Sequence, residues 1–161
     1  MKKAIFLDRD GTLNNMRDHY YVWRKEDFHL NPGVREALSE LKKRGYLLIV
    51  ITNQGGISKG EYGPEEVEAL HAYLCSLLEE SGVQLDELLF CPHHPDQEAC
   101  LCRKPMPLMI QKALARFDID PSESWMVGDS KRDMEAGMAA GLRTLMVESN
   151  GDLRIILDQI D

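Results

Sequence analysis

Two kinds of apolar pattern alternate along the chain. Unbroken apolar runs read as strands: Ala4-Ile5-Phe6-Leu7, Leu88-Leu89-Phe90, Trp125-Met126-Val127, Thr144-Leu145-Met146-Val147, and Tyr46-Leu47-Leu48-Ile49-Val50-Ile51, which is long enough to suggest burial on both faces. Between them, apolar residues recur at helical spacing. Val34, Leu38 and Leu41 mark one helix face, with Asn31 as its cap, Pro32 in its first turn and Gly45 at its end. Val67, Leu70, Leu74 and Leu77 mark a second helix, opened by Gly63-Pro64 and closed near Gly82. Pro107 opens a third carrying Ile110, Leu114 and Phe117, and Met134 and Met138 outline a fourth that stops at Gly141. Strands separated by helices of about 10–15 residues predict right-handed βαβ units. The fold class is therefore α/β, a Rossmann-like parallel sheet with helices on both faces.

The chain's 161 residues suit one domain, spanning 1–161, with a sizeable core. No repeat, low-complexity tract or linker interrupts it. No apolar run approaches the roughly 18 residues needed to span a bilayer, and no signal-peptide pattern opens the chain. A cytoplasmic protein without a membrane partner is expected. A formal charge of −8 argues against general nucleic-acid binding, which needs basic patches. It does not exclude an anionic substrate, because a local cluster of cations or a metal can dominate a pocket.

In parallel sheets, ligands bind beyond the carboxyl ends of the strands. After the first run come Asp8 and Asp10, whose i and i+2 spacing points both carboxylates to one side. Gly11 then turns the chain away, and Thr12 offers a hydroxyl. Thr52-Asn53-Gln54-Gly55-Gly56 follows the second run, and Arg103-Lys104-Pro105 and Gly128-Asp129-Ser130, with Asp133, come later. Singly, each is a turn, a cap or a solvated charge. Jointly they supply what phosphoryl transfer needs: a metal site, a nucleophile and donors for the equatorial oxygens.

A second constellation lies between residues 91 and 102. Cys91-x-His93 and Cys100-x-Cys102 form two i, i+2 pairs separated by a six-residue loop. Extended chain puts each pair on one face, so the two arms can grip one ion tetrahedrally. Free thiols, or a disulfide in a secreted protein, are the alternatives. The added histidine and the cytoplasmic reading favour a closed structural Zn²⁺ site. His94 is the weaker ligand candidate, and Cys75, among leucines, reads as a buried thiol. Zinc would stiffen the loop that delivers Arg103 and Lys104.

The order Asp-x-Asp-Gly-Thr, Thr-Asn, Lys, Gly-Asp-x-x-x-Asp resembles the four motifs of the haloacid dehalogenase superfamily. More narrowly, Phe6 to Thr12, Thr52 to Ile57, Cys91-Pro92-His93-His94-Pro95 and Cys100 to Pro105 resemble one branch. It holds the heptose 1,7-bisphosphate phosphatases and the histidinol-phosphate phosphatases. The resemblance implies that Asp8 is the nucleophile, forming an aspartyl phosphate, and that Asp10 is the acid and base. It implies Mg²⁺ held by Asp8, Asp129 and the main-chain carbonyl of Asp10, with Thr52 and Lys104 on the transferring phosphoryl group. Asn53 would orient Asp8 or the substrate, and Asp133 would brace Lys104 or the metal's outer shell.

The chain leaves room for a minimal cap domain or none, so loops must recognise the rest of the substrate. The candidates are Asp18, His19, Tyr20, Tyr21, Gln54, Gly55 and Arg103, whose guanidinium suits a second phosphate. Asp18 to Val22 and Gly55 to Gly60 resemble the heptose group. Tyr20 stands where glycine is expected there, and Ser130 where lysine is, with Lys131 adjacent. The expectation is a monomeric Mg²⁺-dependent phosphomonoesterase for a small phosphorylated sugar, first the 7-phosphate of a heptose 1,7-bisphosphate. Histidinol phosphate is the alternative substrate. A catalytically silent, zinc-stabilised binding module is the alternative of a different class.

Overall fold

The computed structural model describes residues 1–161. Its sheet contains β1 (Lys3–Leu7), β2 (Tyr46–Asn53), β3 (Glu87–Cys91), β4 (Trp125–Gly128) and β5 (Arg143–Met146). All neighbours pair in parallel, in the order β3-β2-β1-β4-β5. The chain builds outward from β1 to β3 on one side, then crosses back to lay β4 and β5 on the other. That reversal puts the topological switch point, and with it the ligand crevice, at the carboxyl end of β1.

Alternation along the strands divides the core into two layers. Ile5, Leu7, Leu48, Val50 and Val127 face α1 (Val34–Lys43), α2 (Pro64–Glu79) and a C-terminal 3₁₀ segment, Leu153–Asp158. Ala4, Phe6, Ile49, Ile51 and Met126 face α3 (Leu108–Phe117) and α4 (Lys131–Ala139). Both sheet faces are covered, which is why the inner strands read as unbroken apolar runs. Truncating a side chain as enclosed as Leu48, at 0% exposure, to alanine would cost about 2–5 kcal/mol. Between β1 and α1 the only regular element is a 3₁₀ turn, Lys25–Asp27, so no cap domain covers the strand ends. No helix is long and apolar enough to cross a membrane.

Three local expectations are corrected. Asn31 does not cap α1, whose N-cap is Gly33. Its amide instead donates to the carbonyls of Gly11 (3.3 Å) and Thr12 (3.1 Å), pinning the turn after β1. Met134 and Met138 do not form the buried face of α4: Met138 is exposed, and the buried residues are Asp133, Ala136 and Gly137. This helix lies so close to the sheet that only small apolar side chains fit beneath it. Cys75 is half-buried rather than enclosed, because it sits beside the Leu74–Leu78 stripe instead of on it.

Candidate active site

Asp8 emerges from the tip of β1 and meets Lys104, from the loop before α3, and Asp133, from the first turn of α4. The Lys104 ammonium donates to Asp8 Oδ1 (2.8 Å), Asp133 Oδ1 (2.7 Å) and the Ile51 carbonyl (2.7 Å), which uses all its donors. Asp133 Oδ2 accepts from the main-chain N–H (3.2 Å) and hydroxyl (3.0 Å) of Ser130, closing the capping box of α4. Asp133 therefore braces Lys104 and anchors its own helix. Asp129 lies over Gly11, whose φ is +87°; a Cβ there would stand 2.1 Å from Asp129 Oδ2. The Ser149 hydroxyl donates to that same oxygen at 2.6 Å.

Carboxylate oxygens of Asp8, Asp129 and Asp133 lie within 4.8 Å of one another. Three carboxylates thus face one ammonium, leaving a surplus of two negative charges in a largely buried site. Burial lifts the Asp8 carboxyl well above its usual range; Lys104 opposes this, while Asp133 and Asp129 reinforce it. Burial works against the Lys104 charge, but Asp8 and Asp133 outweigh it and raise the ammonium's proton affinity. A divalent cation on these hard oxygen donors would cancel the surplus, so the residues fit Mg²⁺.

Asp10 is gripped on both oxygens. Oδ1 accepts from Arg9 Nη2 (2.8 Å), Arg9 Nε (3.0 Å) and Asn14 Nδ2 (3.1 Å). Oδ2 accepts from Gln54 Nε2 at 3.0 Å. Gln54 also donates to Thr52 Oγ1 (2.9 Å) and accepts from the Tyr62 hydroxyl (2.6 Å). Burial drives the Tyr62 phenol well above its usual range, so it stays a donor. Asn53 is spent elsewhere: its side chain donates to the Lys104 carbonyl (3.1 Å) and accepts from the Lys104 N–H (3.0 Å). It holds the lysine's backbone rather than orienting Asp8.

These groups floor a cleft of about 330 Å³, whose walls include His19, Tyr20, Tyr21, Gln54, Gly55 and Arg103. Asp18 is exposed and lies outside the lining, a departure from its expected place. Met16 and Arg132 line the cleft without having been singled out, as does His94, which the sequence suggested only as a weaker zinc ligand. Arg132 sits one residue into α4, where a helix start after a strand-end motif points back at the crevice. Its neighbour Lys131 pairs instead with Glu135 at 3.7 Å, outside the cleft. Arg103 donates to the His93 carbonyl (3.0 Å) and packs over Gly55, where a Cβ would come within 2.9 Å of its Nη1.

The cysteine cluster closes on itself beside Arg103. Cys91 Sγ lies 3.7 Å from Cys100 Sγ and 3.0 Å from Cys102 Sγ. His93 Nδ1 lies 3.4 Å from Cys91 Sγ and 3.3 Å from Cys102 Sγ. Tetrahedral zinc, with Zn–S near 2.3 Å and Zn–N near 2.0 Å, implies ligand separations of about 3.5–3.8 Å. A disulfide needs about 2.05 Å, and all four cysteines of the chain are free. The four separations, 3.0 to 3.7 Å, lie at or somewhat inside the zinc spacing and far outside a disulfide's, and three sulfurs with one imidazole are a donor set that fits zinc. Burial pushes the Cys91 thiol up. Cys100 is held down to about 7, the N–H groups of Arg103 and Cys102 outweighing its own burial. His94 stands apart from the cage, its N–H donating to Ser58 Oγ at 2.7 Å.

Comparison with known proteins agrees with this geometry. A family model described as HAD-hydrolase-like matches residues 101–154. The chain is 44% identical over 156 residues to a D-glycero-beta-D-manno-heptose-1,7-bisphosphate 7-phosphatase of Haemophilus ducreyi, covering 93% of this chain and 85% of that one. To the Escherichia coli K12 protein of the same name it is 42% identical over 154 residues, covering 92% and 80%. Among solved structures, the D,D-heptose 1,7-bisphosphate phosphatase of B. bronchiseptica, complexed with magnesium and phosphate, superposes with a TM-score of 0.85 at 34% identity. That alignment covers 98% of this chain and 86% of the other. A HAD-like phosphatase from Mesorhizobium loti gives 0.81 at 36% identity, covering 88% and 69%. With its strand-end acids gathered at the switch point of a parallel sheet, the chain belongs to the haloacid dehalogenase-like phosphatases, in the group of the heptose-bisphosphate phosphatases.

Proposed function

We propose that residues 1–161 form one phosphatase domain that removes the 7-phosphate of D-glycero-D-manno-heptose 1,7-bisphosphate, giving heptose 1-phosphate and inorganic phosphate. The observation that carries the reading is the convergence of Asp8, Lys104, Asp129 and Asp133, with Asp10 gripped beside them. Asp8 attacks phosphorus to form an aspartyl phosphate, and the departing alkoxide takes a proton from Asp10. Asp10 then takes a proton from the water that attacks this intermediate, releasing phosphate and restoring the Asp8 carboxylate. The Thr52 hydroxyl holds a transferring oxygen, and the Lys104 ammonium attracts the phosphoryl group by its charge, or by giving up its bond to Asp8 once that carboxylate is esterified.

Asp8, Asp129 and the Asp10 carbonyl would hold Mg²⁺, which supplies positive charge against the carboxylate surplus and the phosphoryl oxygens. Cys91, His93, Cys100 and Cys102 would hold structural Zn²⁺, bracing the segment that carries Arg103 and Lys104. Arg103 and Arg132 both line the cleft and would give a second phosphate two guanidinium partners. His19, Tyr20, Tyr21, Gln54 and Gly55 bound the space for the sugar. Thiolate ligation suits the reducing cytoplasm, and the reading is of a monomer acting on a small molecule.

The test compares kcat/KM for both anomers of heptose 1,7-bisphosphate with that for histidinol phosphate, with Mg²⁺ and after chelation. A preference of about a hundredfold or more for a bisphosphate, lost on chelation, is expected. Equal or better turnover of histidinol phosphate would overturn the substrate. Absence of any phosphate release would overturn the chemistry in favour of a binding module.

A further inference from the structure

Arg9 is the largest side chain that the fold encloses completely, at 0% exposure, although it sits between the two reacting acids. A buried guanidinium must find protein partners for its donors, since water cannot serve them. Arg9 Nε and Nη2 reach Asp10 Oδ1, and Nη2 also donates to the Val22 carbonyl at 2.7 Å. Nη1 points the other way, to Nε2 of His71 on α2, at 3.2 Å. A guanidinium can only donate, so His71 Nε2 must be the acceptor and the ring proton must sit on Nδ1.

The ring is well held for that task. His71 is 7% exposed, and it meets Phe90 of β3 edge-on, with centroids 6.0 Å apart. Burial first, and then the Arg9 charge, lower its pKa to about 3, so it remains a neutral acceptor at physiological pH. Asp10 is the opposite kind of group, with a side chain 22% exposed and facing the cleft. The chain of contacts therefore runs from a closed core to an open reacting carboxylate.

We infer that His71 is a positioning residue for the reaction: by accepting from Arg9 Nη1, it fixes the guanidinium that aims the Asp10 carboxylate. This rests on the assignment of proton transfer to Asp10. Removing the acceptor frees one end of Arg9, and Asp10 loosens with it. The rate penalty falls on steps in which Asp10 moves a proton, since small misplacements are costly there. Transfer from an ester with a good leaving group needs no proton and escapes the penalty.

The experiment uses the full chain with Mg²⁺ and follows pre-steady-state phosphoryl transfer from a sugar phosphate and from p-nitrophenyl phosphate. His71→Leu removes the acceptor, and His71→Gln keeps one. With Leu, transfer from the sugar phosphate is expected to slow about tenfold or more, while transfer from p-nitrophenyl phosphate stays within about twofold. Gln restores the first rate. Equal loss on both esters, no loss on either, or a Gln variant behaving as Leu would overturn the inference. Asp10→Asn is measured alongside. If it lacks the same selectivity, the Asp10 assignment fails and takes the inference with it; if it has that selectivity and His71→Leu does not, only the inference fails. Circular dichroism checks folding, and His71→Met, closer in shape, decides the question should Leu not fold.

Discussion

Asp8, Lys104, Asp129 and Asp133 meet from segments spread between residues 8 and 133, whereas Cys91, His93, Cys100 and Cys102 come from one stretch between 91 and 102. The first cluster is largely buried and held by ion pairs of 2.7 and 2.8 Å that exist only once β1, β2 and β4 lie side by side. Three of the four residues in the second are half-exposed, and its ligands are brought together by one loop. The difference separates two kinds of dependence. Disturbing the acid cluster should strike chemistry and global stability together. Disturbing the cysteine cage should release a local brace and reach the chemistry only through Arg103 and Lys104.

The sharpest break is Asp8→Asn, which removes the nucleophile and should cut phosphate release by about 10⁴-fold or more. No phosphorylated protein should then be detectable by mass spectrometry, and thermal unfolding should remain cooperative. Lys104→Met strips Asp8 and Asp133 of their common partner. Breaking a buried pair in this way costs about 3–5 kcal/mol, read by urea denaturation, and turnover should vanish as well.

Cys102→Ser tests the other side of the comparison. Elemental analysis should find about one zinc per wild-type chain and little in the variant, and turnover should fall roughly 10–100-fold. Its loss of global stability should be smaller than that of Lys104→Met. The reverse order would mean that the cage, rather than the acid cluster, is the keystone of the fold. The mildest effect belongs to Arg132→Ala: KM for a bisphosphate should rise about fivefold to tenfold, with p-nitrophenyl phosphate turnover unchanged. An equal effect on both substrates would place Arg132 in general phosphate attraction rather than in recognition of the second phosphate.

These two clusters were unequally visible beforehand. The cage is readable from spacing alone, because i, i+2 pairs and a short loop are local geometry. The acid cluster is readable only in outline. The unbroken runs mark the strands, the inner ones covered on both faces, and the segment after each strand must then lie at the crevice. That reasoning finds Asp8, Asp10, Thr52, Lys104 and Asp129, yet it cannot say what each one touches. Asn53 shows the gap: a strand-end amide suggests a partner near Asp8, but the fold spends it on the Lys104 backbone. The methionines of α4 likewise point to a buried face, while close packing against the sheet selects Asp133, Ala136 and Gly137 and turns Arg132 toward the cleft.

By itself, then, the amino-acid order determined the α/β class, the strand-end acids and the cysteine cage, because periodicity and ligand spacing act within a few residues along the chain. The tertiary structure alone decided that Asn31 pins a turn, that Asn53 clamps Lys104, that Arg132 lines the cleft, and that His71 meets Arg9. Each of these contacts joins residues brought together by the strand order β3-β2-β1-β4-β5 and the helices packed on it. Propensity and periodicity carry no information about such partners, since a hydrogen bond between distant segments depends on which strands become neighbours.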